Sequence, residues 1–362
     1  MEEWKVQLMN SVKSIQDLEK YLNLSESEKV EITKVMAEFG FSITPYFAAL
    51  MDSENEKCPI RMQAVPDIKE LQNDFGEKDP LMEANCSPCP LIIHVYPDRV
   101  AFLVSNACAM YCRHCLRKYT TKMHSKSYSD DEIVNAIEYI RTTEQIRDVL
   151  LTGGDPLMIS DEKLEWIISE LRAIPHVEVI RIGTRMICTL PQRITDKLCN
   201  ILQKYHPIWI NTQFNHPKEL TPLVKVAVDR LLLAGIPIGN QTVLLQGIND
   251  SLNVMKQLVQ KLVYFRIRPY YIYQAQTLYG TEHFITPIEK GIEIMRNLRG
   301  YTSGICIPQY VLDTPYGKVP ISPNYVIGRD GNYFILTSYD GKVWREFNPI
   351  EVSFSLPEMA DV

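Results

Sequence analysis

The sequence lacks a long apolar run. Among its 362 residues, no stretch approaches the ~18 consecutive apolar residues of a membrane-spanning helix. The charged residues at positions 1–5 (MEEWK) are not followed by the apolar segment of a signal peptide. Basic residues are also outnumbered, with 38 Lys and Arg against 44 Asp and Glu. We therefore expect a cytoplasmic protein that binds neither a membrane nor nucleic acid.

Two common functional patterns are missing as well. The sequence has no G-x-S-x-G motif and its seven histidines are scattered, so it offers no nucleophile–histidine arrangement of the hydrolase type. No G-x-G-x-x-G follows the first predicted strand, which argues against a dinucleotide-binding sheet. What the sequence does contain is nine cysteines. In a reducing compartment these indicate a metal or redox site rather than disulfides.

Apolar patterns divide most of the chain into two regions. Residues 1–97 form a helical N-terminal region, in which the capping box at 25–28 begins a helix that Gly40 ends. Residues 98–300 contain six short apolar runs, each followed by an amphipathic stretch. The first two runs begin 47 residues apart and the later ones 28–30 residues apart, a spacing typical of βαβ units. Six such units favour a barrel-like winding of parallel strands. The runs begin near Ala101, Asp148, Glu178, Ile208, Ile236 and Arg266.

The remaining region, 301–362, has a different pattern. A further apolar run at 305–312 follows the sixth helix, and Asp-Gly pairs at 330–331 and 340–341 each stand between alternating apolar runs, as in hairpin turns. We predict a small antiparallel β appendage over 325–347 that packs against the barrel. The expected fold class is therefore α/β: a partial TIM-like barrel with a helical N-terminal extension and a C-terminal β appendage.

Cys108, Cys112 and Cys115 form a C-x3-C-x2-C motif directly after the first predicted strand. In a barrel of parallel strands, this position is a loop at the C-terminal face, where active sites assemble. Three soft thiolates bind an iron–sulfur cluster, and in a cluster of four irons they leave one iron open for a small ligand. Two other interpretations stand beside this one: a zinc knuckle completed by His114, and three unrelated buried cysteines.

The cysteine motif, with Tyr111 before its second cysteine, resembles the radical S-adenosylmethionine (SAM) superfamily. In that superfamily, the open iron of a 4Fe-4S cluster binds SAM and cleaves it reductively to a 5′-deoxyadenosyl radical. The second supporting motif is LTGGDP at 151–156, at the end of the second predicted strand. The resemblance assigns Gly153, Gly154 and Asp155 to binding the aminoacyl end of SAM. Because glycine has no side chain, a ligand can approach the backbone closely at these positions.

Further motifs narrow the resemblance to the lysine 2,3-aminomutase family and extend it over about 43–339, most of the chain. They are YPDR at 96–99, CRHCLR at 112–117, IGTR at 182–185, NHP at 215–217, GNQ at 239–241, RPYY at 268–271, EHF at 282–284 and TSG at 302–304. The family has a partial (β/α)6 barrel, in agreement with the six units above. The resemblance implies pyridoxal 5′-phosphate (PLP) beside the cluster and SAM, an electron donor such as flavodoxin or ferredoxin, and migration of an α-amino group to the β-carbon.

The resemblance also assigns residues to PLP. Lys318 matches the lysine that binds PLP covalently, a role suited to a desolvated amine that attacks an aldehyde. Arg99 is similar to the arginine that binds the PLP phosphate, and Tyr96 lies beside it. Gln241 is a further cofactor-binding residue. A second arginine of the family pattern is Val95 here, which removes one phosphate contact.

Substrate recognition is where the sequence departs from the family. Arg117 matches the arginine that binds the substrate carboxylate. Of two family aspartates that bind the ammonium of lysine, one matches Asp313 and the other falls on Gln276, while Gln213 replaces a family histidine near the cofactors. An amide in place of a carboxylate removes negative charge from a cation site. We therefore expect a 2,3-aminomutase for lysine or a related polar amino acid such as arginine.

A second departure concerns zinc. The best-known members of the family bind zinc through a cysteine that is Ser251 here and through a C-terminal cysteine cluster, whereas this chain ends in LPEMADV at 356–362. We predict no structural zinc, and we expect a homo-oligomer. Two alternatives remain: an enzyme that uses the same cofactors and a substrate β-radical for another outcome, such as desaturation, and a cluster- or zinc-bearing binding protein without catalysis.

Overall fold

The computed structural model describes residues 2–72, 75–118 and 127–348, and its centre is a sheet of nine strands. The strands are β1 (Ile92–Tyr96), β2 (Arg99–Ser105), β3 (Asp148–Gly153), β4 (Val179–Gly183), β5 (Ile208–Thr212), β6 (Ile238–Leu244), β7 (Arg268–Gln274), β8 (Gln309–Thr314) and β9 (Gly317–Pro320). They lie side by side in chain order. Strands β2 to β8 pair in parallel, whereas β1 and β9 pair antiparallel with β2 and β8.

Helices provide the crossovers that parallel strands require. The helices are α1 (Glu3–Met9), α2 (Ile15–Leu18), α3 (Glu26–Glu38), α4 (Pro45–Ala48), α5 (Pro59–Ala64), α6 (Asp130–Thr142), α7 (Asp161–Arg172), α8 (Met186–Thr189), α9 (Asp196–Gln203), α10 (Pro222–Leu233), α11 (Leu252–Tyr264) and α12 (Ile288–Leu298). Helices α6 to α12 fill the connections between β2 and β8. In α6, Ile133, Ile137 and Ile140 recur at helical spacing and are buried, so one face of the helix packs into the core.

The curved sheet is not closed by backbone pairing, because in the described part of the chain its edge strands β1 and β9 do not pair with each other. One hydrogen bond joins them instead: the backbone N–H of Lys318 in β9 donates to the phenolic oxygen of Tyr96, at the end of β1 (2.7 Å). Gly317 lies directly against this ring, where a Cβ atom would be 2.8 Å from Cε1 of Tyr96. The two ends of the sheet therefore meet through side-chain packing.

The structure confirms the expected fold class. The six predicted parallel strands are β2 to β7, and the capping box at Ser25 begins α3. The sheet also contains three strands that the sequence patterns did not identify as such: β8, which overlaps the apolar run at 305–312, β9 directly after it, and β1, in a proline-rich stretch without alternation. In β1, two adjacent residues, Ile92 and Ile93, are both buried, so the strand shows no period of two.

The C-terminal appendage has the predicted antiparallel form. Its strands are β10 (Val326–Asp330), β11 (Tyr333–Thr337) and β12 (Val343–Phe347), with turns at the two Asp-Gly pairs. It contacts the barrel through Tyr339, whose ring lies 5.3 Å from that of Tyr301. The chain end at 356–362 lies outside the described residues. Among the helices within residues 2–72, 75–118 and 127–348, none combines the length and apolar composition that a bilayer span requires.

Candidate active site

The C-terminal ends of the parallel strands surround one cavity of about 330 Å³. Parallel strands point the same way, so the loops that follow them meet at one face of the barrel. Most of the residues that the sequence singles out line this cavity: Cys108, Cys112, Cys115, Arg117, Gly153, Gly154, Asp155, Gln241, Gln276 and Asp313. The other three, Tyr96, Arg99 and Lys318, do not line it. They lie beside it, since the Nζ atom of Lys318 is 3.5 Å from the carboxylate of Asp313.

The cysteine thiols share this cavity without converging on one point. In the part of the chain that the structure describes, no three His, Cys, Asp or Glu side chains lie close enough to bind a single metal ion. A lone zinc requires each sulfur at about 2.3 Å, whereas a four-iron cluster holds its cysteine sulfurs farther apart. Burial raises the pKa of Cys108 well above its usual value, and Cys115 adds to the effect. The positive charge of a bound cluster stabilises such thiolates, so the donor set fits a cluster.

A buried ion network supports the cysteine loop. Arg113, between the second and third cysteines, donates from Nε to Oε1 of Glu70 (2.9 Å), and the Nζ atom of Lys118 lies 2.6 Å from Oε2 of the same carboxylate. All three side chains are buried. Burial alone would raise the pKa of Glu70, but the charges of Arg113 and Lys118 hold it below its usual value. The sequence analysis missed this network because Glu70 belongs to no motif and lies far from Arg113 in the chain.

A second buried cation contacts a cysteine directly. Arg185, which follows β4, donates from Nη1 to Sγ of Cys112 across 2.8 Å. Its Nη2 atom donates to Oε1 of Gln63 (2.6 Å) and to Oε1 of Glu219 (2.9 Å). Arg185, Gln63 and Glu219 are all buried. Arg185 is part of the IGTR motif that supported the resemblance, but the sequence suggested no role for it.

Gly153, the last residue of β3, and Gly154, which follows it, bring the backbone of this segment against the cysteine loop. Gly153 has φ +120°, which favours glycine. A Cβ atom on Gly154 would lie 2.4 Å from the carbonyl oxygen of Ala107, the residue before the first cysteine. The backbone N–H groups of Gly154 and Asp155 donate to the carbonyls of Ser105 (2.6 Å) and Ala107 (2.7 Å). This segment therefore leaves no room for side chains at either glycine.

The carboxylate of Asp155 is bonded to the protein itself. The hydroxyl of Thr184 donates to both of its oxygens (2.7 and 2.9 Å), and the backbone N–H groups of Leu157 and Arg185 donate at 3.0 and 2.8 Å. Burial raises the pKa of Asp155. Asp155 thus ties the loop after β3 to the loop after β4, and its assignment to SAM stays a prediction.

The hairpin of β8 and β9 places an amine beside a carboxylate. Asp313 and Lys318 are cross-strand partners, so their side chains lie on the same face of the hairpin. The Nζ atom of Lys318 also lies 5.8 and 5.7 Å from the ring centroids of Tyr96 and Tyr273. On the same Tyr96 ring, the guanidinium of Arg99 stacks at 3.6 Å from the centroid. The site thus offers an amine for an aldehyde and a guanidinium for a phosphate, both near the Tyr96 side chain, and this set of groups fits PLP.

Two polar side chains occupy the positions predicted for the substrate. Gln276 lines the cavity and donates from Nε2 to the backbone carbonyl of Asp313 (2.8 Å). Arg117 also lines it, and its Nη2 atom lies 2.7 Å from Oε1 of Glu83, a residue that the sequence analysis did not identify. Glu83 begins a short 3-10 turn, Glu83–Cys86, between α5 and β1. The carboxylate of Glu83 therefore holds this turn against the mouth of the cavity.

His114, considered above as a zinc ligand, packs among amides. Its Nε2 atom lies 3.0 Å from Nε2 of Gln213 and 3.2 Å from Nδ2 of Asn215. Burial lowers its pKa well below the usual range, so the imidazole is neutral and accepts hydrogen bonds through Nε2. Gln213, at the position of a family histidine, is thus in direct contact with the cysteine loop.

Comparison with known proteins places the chain in a family. Residues 102–258 match the radical SAM superfamily, and residues 295–355 match a C-terminal family model described as lysine-2,3-aminomutase. The L-lysine 2,3-aminomutases of Fusobacterium nucleatum and Acetoanaerobium sticklandii are 52% and 48% identical, over 94% and 97% of this chain and 81% and 86% of theirs. The glutamate 2,3-aminomutase of Clostridioides difficile is 45% identical over 94% of this chain and 82% of its own. Among solved structures, a radical SAM methyltransferase from Sphaerobacter thermophilus aligns with a TM-score of 0.45 at 15% identity, over 61% of this chain and 68% of that one. The identity to full-length relatives shows that the chain belongs to the lysine 2,3-aminomutase family of the radical SAM superfamily.

Proposed function

We propose that the protein is a radical SAM amino-acid 2,3-aminomutase, which moves the α-amino group of a polar amino acid to the β-carbon. The observation that carries the proposal is that the cavity lined by Cys108, Cys112 and Cys115 is also lined by Asp313, the cross-strand partner of Lys318. Residues for a radical-generating cluster and for an amine-bound cofactor thus lie at one site. Relatives named as lysine and glutamate 2,3-aminomutases support the same reaction class.

Three cofactors follow from the proposal. The cluster and SAM supply a carbon-centred radical that removes a β-hydrogen, and PLP supplies a conjugated carrier for the migrating nitrogen. The cysteines hold the 4Fe-4S cluster, the backbone at 153–155 and Gln241 hold SAM, and Lys318, Arg99 and Tyr96 hold PLP. The proposed enzyme has no structural zinc.

The protein contributes orientation and exclusion of water. Arg117 holds the substrate carboxylate, since a guanidinium forms charge-assisted hydrogen bonds with a carboxylate. Buried apolar side chains such as Phe284 and Leu245 form part of the cavity lining. They limit the contact of a reactive carbon radical with water on that side of the cavity.

Asp313 and Gln276 recognise the substrate side chain. Nε2 of Gln276 donates a hydrogen bond to the backbone carbonyl of Asp313. The Oε1 atom of Gln276 is therefore the end of the amide that can accept a hydrogen bond from a ligand. The site therefore offers one carboxylate and one amide oxygen. A guanidinium presents several N–H donors in one plane and satisfies both acceptors, whereas a compact ammonium gains most from two carboxylates. We therefore propose arginine as the preferred substrate and lysine as the alternative.

We also propose an electron donor, an oligomeric state and a cellular location for the enzyme. A low-potential donor such as flavodoxin or ferredoxin reduces the cluster. The enzyme is a homo-oligomer. It works in the cytoplasm, a reducing compartment in which cysteines outside the cluster stay as thiols.

An anaerobic assay tests the reaction. The protein is reconstituted with iron, sulfide and PLP and is then incubated with dithionite, SAM and arginine, lysine, ornithine, glutamine or glutamate. We expect a β-amino acid from at least one of them, with SAM conserved over many turnovers. Stoichiometric consumption of SAM would instead indicate the desaturase alternative, and no β-amino acid from any substrate would contradict the proposal.

The PLP assignment has its own test. Borohydride reduction should fix PLP to the peptide that contains Lys318, and Lys318→Ala should lose both that label and the activity. Lys290→Ala, at a half-exposed lysine on α12, is the matched control and should keep both. A label on another lysine in the wild-type protein would overturn this assignment while leaving the cluster chemistry in place.

A further inference from the structure

The guanidinium of Arg185 contacts a sulfur that the proposed function gives to the cluster. Its Nη1 atom donates to Sγ of Cys112 across 2.8 Å. The other two predicted cluster ligands, Cys108 and Cys115, lie on the same short loop after β2, whereas Arg185 comes from the segment after β4, two strands along the sheet. A cation therefore reaches the cluster site from outside the cysteine motif.

Arg185 is held in place by two separate segments, helix α5 and the loop after β5. Gln63 from α5 accepts from Nη2 at 2.6 Å, Glu219 accepts from the same atom at 2.9 Å, and the carbonyl of Gln213 accepts from Nε at 3.4 Å. The second carboxylate oxygen of Glu219 accepts from the backbone N–H of Asn215 (2.6 Å). Because Arg185 and Glu219 are buried, neither charge is free to turn towards solvent.

The reduction potential of an iron–sulfur cluster depends on charges and hydrogen bonds at its sulfurs. Reduction adds one negative charge to the cluster, so a cation that donates to a cluster sulfur stabilises the reduced state more than the oxidised state. The effect is strong in a buried site because the local dielectric is low. The fixed carboxylate of Glu219 acts in the opposite direction, and the potential reflects the balance of the two charges.

We propose that Arg185 is a positioning residue that raises the reduction potential of the cluster through Cys112, and that Glu219 limits this effect. The inference rests on the proposed function, since it requires Cys112 to be a cluster ligand. In the step concerned, the oxidised cluster accepts one electron from a low-potential reductant such as dithionite. No covalent bond forms or breaks in this step.

The test compares four reconstituted proteins, without PLP or substrate: wild type, Arg185→Gln, Glu219→Gln and Arg181→Gln. Iron content and the midpoint potential of the cluster are measured, the latter by titration with dithionite followed by electron paramagnetic resonance. Arg185→Gln should have a more negative potential than wild type, and Glu219→Gln a more positive one. Arg181→Gln is the matched control, since Arg181 lies on β4 and pairs with Asp148 (2.8 Å) away from the cysteines. It should keep the wild-type potential.

Opposite shifts separate electrostatic control from general damage, because a disturbed cluster site shifts both variants in the same direction. Equal potentials in wild type and both variants, or shifts of the same sign, would overturn the inference. If Arg185→Gln fails to hold iron, Arg185→Lys keeps the charge while altering the N–H···S contact. Its potential should be more negative than wild type, and an unchanged potential would count against the role of the contact. A wild-type protein that binds no cluster would instead contradict the proposed function itself.

Discussion

The side-chain amide of Gln276 donates to the backbone carbonyl of Asp313 across 2.8 Å. This hydrogen bond orients the amide, so that its oxygen is the end available to a substrate. The carboxylate of Asp313 lies 3.5 Å from Nζ of Lys318 on the same hairpin face. One residue thus connects the predicted substrate pocket to the predicted PLP lysine, and changes at Gln276 should alter substrate choice more than the reaction itself.

Gln276→Asp should shift the preference from arginine towards lysine. The new carboxylate adds a negative charge that a compact ammonium uses better than a guanidinium does. We expect the ratio of kcat/KM for lysine to that for arginine to rise at least about tenfold, equivalent to ~1.4 kcal/mol. Gln276→Asn, which keeps an amide, is the control for the lost length and packing. An unchanged ratio of kcat/KM values in Gln276→Asp would show that this residue does not bind the substrate side chain.

Glu70→Gln should destabilise the cysteine loop and the whole fold. Removing the carboxylate leaves Arg113 and Lys118 buried without their counter-charge, which costs about 3–5 kcal/mol. Because the pKa of Glu70 is lowered in the folded protein, its contribution is complete above the ordinary glutamate value of 4.5 and is lost as the pH falls towards the lower folded value.

Urea unfolding at several pH values measures this difference. The gap in unfolding free energy between wild type and Glu70→Gln should be largest at neutral pH and should shrink below about pH 4.5. Glu77→Gln, at an exposed glutamate nearby, makes the same change of charge and should leave stability within about 0.5 kcal/mol. A gap that is absent at pH 7 would mean that the network contributes no stability.

The sequence predicted the parts of the site that depend on the spacing of residues close together in the chain. Cys108, Cys112 and Cys115 lie within one loop, and the predicted parallel strands bring Gly153 to the same face as these cysteines. Arg117, Gln276 and Asp313 could be placed because they match family positions. The barrel followed from repeated units whose apolar runs alternate with amphipathic helices.

The rest depended on contacts between distant segments. Glu70 pairs with Arg113, 43 positions later, and Gln63 contacts Glu219, 156 positions later. A glutamate in a proline-rich stretch has the same local appearance whether it is solvated or buried against two cations. Strand β1 was missed for a related reason, because its pairing partner and its burial are set by β2 and not by its own pattern.

Gly154→Ala should disrupt the cluster site. The added methyl group would lie 2.4 Å from the carbonyl oxygen of Ala107, so the cysteine loop must move. We expect a loss of stability of about 1–3 kcal/mol and a several-fold lower iron content after reconstitution. Gly304→Ala is the control, since no atom lies within 4 Å of its added Cβ. Equal iron content in the two variants would contradict the tight packing that we describe.

Tyr96→Phe should weaken the closure of the sheet. It removes the acceptor for the backbone N–H of Lys318 but keeps the ring that stacks on Arg99. The loss of one hydrogen bond costs about 0.5–1.5 kcal/mol, and we expect PLP to dissociate faster because the lysine backbone is less fixed. Tyr316→Phe, at a tyrosine that is 94% exposed, should change neither quantity. PLP retention equal to wild type in Tyr96→Phe would argue against this coupling.

Isotope transfer tests the central claim most directly. Arginine and lysine deuterated at C-3 are incubated with the reconstituted enzyme, SAM and dithionite, and the 3-amino product and the recovered SAM are examined by mass spectrometry and NMR. The account predicts a 3-amino acid with deuterium at C-2 and deuterium in the 5′ position of SAM, because the hydrogen leaves C-3 and returns to C-2 by way of the SAM-derived radical. A 3-amino product whose C-2 hydrogen comes only from solvent, or no 3-amino product at all, would contradict it.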